Sequence, residues 1–99
     1  MESTAKKANM SLQVVPVNTT DAYPIIDEAI KVVENSGVRY TVQPFSTIME
    51  GELTRLVEVA MAAKDAALAA GGEELILNIQ IHLRKDGSVS FEEKTGKYE

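Results

Sequence analysis

The chain has 99 residues, 15 acidic against 10 basic, a net charge of −5 and no cysteine. That length fits one domain and not two. The acidic balance argues against nucleic acid and against an anionic membrane surface, and the missing cysteine excludes disulfides, thiolate metal sites and a cysteine nucleophile.

Residues 1–9 are polar and lack the apolar stretch of a signal peptide, so they are read as a flexible tail with Met10 a candidate start. No segment approaches the roughly 20 apolar residues of a membrane span, and the composition suits the cytoplasm. Residues 10–17 alternate as a strand, with Leu12 and Val14 on one side and Ser11, Gln13 and Val15 on the other. Pro16 restricts pairing at the far end of that strand. Asn18 to Asp21 is rich in capping residues, and Pro24 suits a first helical turn. The helix runs to about Asn35, with Ile26, Ala29, Ile30 and Val33 as its apolar face. Gly37 stops it.

Val38 to Gln43 reads as a second strand, with Tyr40 and Val42 on one face and Thr41 and Gln43 on the other. Pro44 and Phe45 turn the chain into a short third strand, Ser46 to Glu50. A second helix spans about Glu52 to Ala70, burying Leu53, Leu56, Val57, Ala60, Ala63 and Ala67. Residues 74–84 form the longest strand. Asp86-Gly87 signals a hairpin, which predicts a fifth strand over residues 88–93 and a frayed end over residues 95–99. The order β-α-β-β-α-β predicts an α+β fold, the ferredoxin-like plait. It has a four-stranded antiparallel sheet with both helices on one face and a C-terminal hairpin extension.

Alternation leaves Ser11, Gln13, Thr41, Gln43, Asn78, Gln80 and His82 on the uncovered face. These are neutral hydrogen-bonding groups, suited either to a half-exposed surface or to an interface or flat ligand. His82 stands without the partners that metal binding or acid–base work needs. No nucleotide-binding glycine loop and no nucleophile elbow occur. The segment Gln43 to Gly51 is the most chemically mixed part of the chain. In it Glu50 either interacts with a helix N-terminus or accepts from an amino group and balances a cation. Ser46 and Thr47 either bond locally or face a ligand.

Several stretches resemble a known family. They are Leu12-Gln13-Val14-Val15-Pro16-Val17, the run from Ala29 through Ser36-Gly37 to Tyr40, above all Pro44-Phe45-Ser46-Thr47-Ile48-Met49-Glu50-Gly51, and then Ala63-Lys64-Asp65-Ala66 and Ile79-Gln80-Ile81-His82. The chain is similar over residues 10–94 to the small thiamine-binding proteins, formerly a conserved domain of unknown function. That resemblance implies a homo-oligomer, a dimer of dimers. It also implies thiamine or its hydroxymethylpyrimidine part as a ligand held without chemistry, and no cofactor. Gln13, Tyr40, Ser46, Thr47, Glu50 and Asn78 are the candidate binding residues. Together they are expected to line one sheltered hollow. The competing readings are an oligomer with no small ligand and an enzyme of thiamine metabolism.

Overall fold

The computed structural model describes residues 6–98. Strand β1 (Lys7–Val17) is followed by α1 (Tyr23–Asn35), β2 (Arg39–Val42), β3 (Thr47–Glu52), α2 (Leu53–Ala69), β4 (Glu74–His82) and a short α3 (Phe91–Thr95) ending in a 3-10 turn (Gly96–Tyr98). The sheet order is β2-β3-β1-β4, and every adjacent pair is antiparallel. This is the expected α+β plait.

The register sets which residues share a face. Met10 lies opposite Met49 and Ile81, and Leu12 opposite Thr47 and Ile79. That face is covered by both helices. Ala8, Met10, Leu12 and Met49 pack there with Ile25, Ala29 and Val33 of α1 and with Leu56, Val59, Ala60, Ala63 and Ala67 of α2. The three alanines let α2 lie close, because a methyl group is all that separates its backbone from its neighbours. Gly71 and Gly72 end α2 for a steric reason. Gly71 has φ 113°, and a Cβ on Gly72 would sit 2.9 Å from the Ala67 carbonyl oxygen, which accepts from the Gly72 N–H at 3.1 Å.

Several sequence expectations are corrected. Strand β1 begins at Lys7, so residues 6–9 are not a tail; Ala8 and Asn9 are buried because β3 and the C-terminal segment flank them. Residues 1–5 of the expected tail lie outside the described residues. The buried stripe of α1 centres on Ile25, Ala29 and Val33, while Ile26 and Ile30 stand half-buried beside it. In α2, Val59 is core and Val57 is exposed.

The largest difference is at the C-terminus, where no fifth strand forms. After the turn at Gly87, Val89 donates one backbone bond to Lys7 at 2.9 Å, and the chain then enters α3. The cause is local. Ser90 and Glu93 form a reciprocal capping box, which satisfies two backbone N–H groups and favours helix over strand. Residues 95–98, expected to fray, close α3 and form the 3-10 turn, and Glu99 lies outside the described residues. Val89 is fully buried yet separate from the main core.

Candidate functional site

Two hollows flank the sheet, one on each face. The first, of ≈ 310 Å³, is a cleft between α1, the second half of β1 and the β2–β3 turn. Leu12, Val14, Pro16, Ile26, Ile30 and Val42 make apolar walls; Gln43, Ser46 and Thr47 supply the polar groups, and Gln13 borders the cleft with its side chain turned to the other face of the sheet. No ionisable side chain is among its lining residues. The turn is closed by a backbone bond from Gln43 N–H to the Ser46 carbonyl at 2.9 Å, which fixes the polar rim, and Phe45 projects at the mouth, 83% exposed. Thr47 is only 7% exposed. Its partner in the register is Leu12, so it points to the helix-covered side, where it lines the cleft.

The second hollow, of ≈ 900 Å³, lies on the opposite face, between the sheet and α3. Its floor is Asn9, Ser11, Thr41, Ile48, Gln80 and His82; Arg39, Phe91, Glu92 and Lys94 wall one end. Here Glu50 is a clasp. It is 7% exposed, accepts the Phe91 N–H at 2.7 Å through Oε1, and meets Arg39 at 3.3 Å through Oε2. The Phe91 N–H opens α3 and has no partner inside that helix, so a carboxylate satisfies it well. Arg39 continues outward to both oxygens of Glu92, with Nη1 to Oε1 at 2.8 Å, and its guanidinium lies 4.6 Å from the centre of the Phe91 ring. Lys94 donates to Asn9 Oδ1 at 2.8 Å, and Asn9 Nδ2 donates to the Val89 carbonyl at 3.3 Å.

The charges around α3 hold two carboxyls down. Arg39 bonding, aided by the helix backbone, lowers Glu92 from 4.5 to about 2. Arg84 bonding, aided by the Ser90 backbone, lowers Glu93 to about 2. A carboxylate whose pKa is lower in the folded state stabilises above its unfolded value, and that contribution disappears as pH falls through the folded value. Acid is therefore expected to loosen α3 between about pH 4.5 and pH 2. The amide NMR shifts of residues 90–95 should move in that window while those of α2 stay fixed.

The six candidate binding residues do not share one hollow. Gln13, Ser46 and Thr47 line the α1 cleft. Asn78 donates to Gln13 Oε1 at 2.9 Å, and these two border a shallow patch with Ser46 on the other face of the sheet. Tyr40 is paired with Met49 and borders the α3 hollow. Glu50 is paired with Asn9, whereas Thr47 is paired with Leu12, so the two side chains stand on opposite faces. The expectation of a single hollow uniting them is thereby corrected, because residues three apart in a strand point to opposite sides.

Sequence reasoning missed Ile26 and Ile30 as cleft walls and missed the α3 clasp. The first was visible in α1, whose apolar residues at 25, 26, 29, 30, 32 and 33 are too many for one narrow stripe. The second was visible in Ser90-x-x-Glu93, a capping-box pattern that outweighs the strand-like alternation of Val89 and Phe91.

Residues 10–99 match the family described as thiamine-binding protein. Among curated relatives, UPF0045 protein CPE1503 of Clostridium perfringens is 34% identical over 91 residues, covering 91% of this chain and 95% of its own. A Bacillus cereus domain of unknown function, DUF77, superposes with a TM-score of 0.92 at 42% identity, over 100% of this chain and 96% of that one. A Thermotoga maritima protein with a provisional thiamine biosynthesis/salvage description superposes with a TM-score of 0.85 at 27% identity, over 94% of this chain and 99% of that one. With both sequence and fold matched along nearly its whole length, the chain belongs to the thiamine-binding protein family.

Proposed function

We propose that this protein binds thiamine or its hydroxymethylpyrimidine part, without transforming it, in the cleft between α1 and the sheet. The observation that carries this reading is the nearly buried Thr47 side chain at the polar end of a cleft of ≈ 310 Å³ whose long walls are apolar. Small-molecule sites are concave, mostly apolar, and provided with a few placed polar groups, typically in about 300–1,000 Å³. An aminopyrimidine presents neighbouring donors and acceptors. The Thr47 hydroxyl can donate and accept, and Gln43 and Ser46 add polar groups at the rim. The ring faces and methyl group then meet Ile26, Ile30 and Val14. A thiazolium would lie at the mouth, where Phe45 offers a ring face to a cation.

The absence of ionisable groups from the cleft lining favours a binder over an enzyme, because proton transfer needs a titratable group within reach of the ligand. The proposed assembly is a homo-oligomer of paired dimers. Apolar side chains left uncovered on the outer side of α2 (Val57, Met61 and Leu68) support it. No described helix is long and apolar enough to cross a membrane, and the proposed site of action is the cytoplasm.

Isothermal titration of the folded protein with thiamine and, separately, with hydroxymethylpyrimidine tests the reading. Heat is expected with both, at one site per chain, since the neutral pyrimidine suits an uncharged cleft. Mass spectrometry after incubation should recover each ligand intact. Silence with both ligands would remove the proposal, and a new mass would turn it toward an enzyme.

A further inference from the structure

The hollow under α3 differs in chemistry from the α1 cleft. On that side of the sheet the register lays polar groups in rows. Arg39 lies opposite Glu50, Glu50 opposite Asn9, and Asn9 opposite His82. The next row is Thr41, Ile48, Ser11 and Gln80. The first row carries α3, and the second is the open floor of a space of ≈ 900 Å³. Two cations, Arg39 and Lys94, border that space against one acid, Glu92. This local positive excess stands in a chain of net charge −5.

Arg39 is held as a receptor would be. Behind it the buried Glu50 carboxylate meets Nη1 at 3.3 Å, and beside it the Phe91 ring centre lies 4.6 Å from the guanidinium. Those contacts fix the guanidinium plane, and its donor fork then spans both oxygens of Glu92. The two carboxylates are unlike. Glu50 is 7% exposed, whereas Glu92 is 63% exposed. An exposed ion pair contributes little and exchanges readily. Helix α3 buries no side chain and has other ties to the sheet: Glu50 to the Phe91 N–H, Lys94 to Asn9, and Arg84 to Glu93. Glu92 can therefore swing outward with the helix still in place.

We propose that the hollow under α3 is a second ligand site, for a small carboxylate that displaces Glu92 from Arg39. Glu92 fills the seat when no ligand is bound. Lys94 adds a second charge, since its Nζ donates at 2.8 Å to Asn9 Oδ1, a neutral oxygen that leaves the charge uncancelled. Ser11, Thr41 and Gln80 offer hydroxyl and amide groups to the rest of the molecule. A carboxylate is favoured over a phosphate on two grounds. The Arg39 fork already spans the two oxygens of one carboxylate. The floor strands β1 and β3 are paired on both sides, so their backbone N–H groups are not available to wrap a phosphate. The site stands apart from the α1 cleft, on the opposite face of the sheet, and takes an anion where that cleft takes a neutral or cationic ring.

Amide NMR titrations with sodium acetate, sodium succinate and inorganic phosphate, with sodium chloride as the ionic-strength control, test it. Acetate and succinate are expected to give saturable shifts at Ser11, Gln80 and residues 90–95, with residues 26–30 unmoved. Glu92→Gln should tighten succinate binding by ~2- to 5-fold, because the competing carboxylate is gone. Its affinity for thiamine, read by calorimetry, should equal that of the native protein. Arg39→Lys keeps the charge beside Glu50 but loses the fork, and should weaken succinate by roughly tenfold. Lys94→Gln keeps a donor for Asn9 and loses the charge; it should also weaken binding, and it serves if Arg39→Lys folds poorly. Shifts no larger than those from chloride, or succinate binding no tighter in Glu92→Gln, would overturn the proposal. Saturation by phosphate alone would overturn the carboxylate assignment, and thiamine shifting these residues in place of 26–30 would give the hollow to thiamine instead. Failure of thiamine to bind anywhere would remove the α1 reading and leave this one standing.

Discussion

Replacing Ile26 with tryptophan is expected to weaken binding of thiamine and hydroxymethylpyrimidine by at least ~100-fold while the protein stays folded. Ile26 is half-buried on α1, borders the cleft and is not part of the main core cluster. An indole there has solvent-accessible space to enter, so the core need not repack. The cleft, at ≈ 310 Å³, is near the lower limit for a ligand of this size. A large ring therefore leaves no room for the pyrimidine. Thr47→Val is the gentler companion. It keeps the shape and removes the hydroxyl, and the loss of a hydrogen bond in a buried site costs about 1–3 kcal/mol, roughly tenfold or somewhat more in affinity. Circular dichroism establishes that each variant is folded, and titration calorimetry reads the affinity. Unchanged affinity in Ile26→Trp would shift the site to the hollow under α3.

Glu50→Ala should be the most destabilising single change outside the main core, at about 2–3 kcal/mol. Removing the carboxylate leaves the Phe91 N–H without its acceptor and takes away the inner partner of Arg39. Breaking a fully buried pair costs about 3–5 kcal/mol. The lower figure applies here because the Arg39 side chain is 47% exposed and keeps Glu92. Urea unfolding followed by circular dichroism measures the loss, and amide NMR shifts of residues 90–95 should show α3 released. Glu50→Gln keeps an acceptor for Phe91 and should fall between Glu50→Ala and the native protein. A loss under about 0.5 kcal/mol in Glu50→Ala would mean that α3 is held by other contacts, such as Lys94 with Asn9.

The fold was largely legible because period and punctuation agreed. Alternation in residues 10–17, the helical spacing before Gly37 and the alanine-rich run before Gly71 each point to the element observed. Failures came where two local signals competed. Val89 and Phe91 alternate like a strand, but Ser90 and Glu93 cap a helix, and the cap prevailed although the outer edge of β4 is unpaired. Residues 6–9 looked like a tail because their partners in the chain, in β3 and around Ser88 and Val89, are more than 40 residues away, contacts no local pattern reveals. The candidate site was legible by composition only. Thr47, Ser46 and Gln13 do line one cleft, but the strand parity of Thr47 and Glu50 already placed them back to back. The depth of the cleft depends on how far α1 stands from β1, which is a tertiary distance absent from any window of sequence.

The position of β1 between β3 and β4 bears on how the protein is made. Of these strands β1 leaves the ribosome before the others, and it acquires one neighbour with residues 47–52 and the other only with residues 74–82. Until residues 74–82 emerge, a flank of that strand stays open to solvent, with its backbone groups unpaired. Nascent chains stalled before that point should therefore be the species most prone to associate wrongly, and the ones a chaperone would engage.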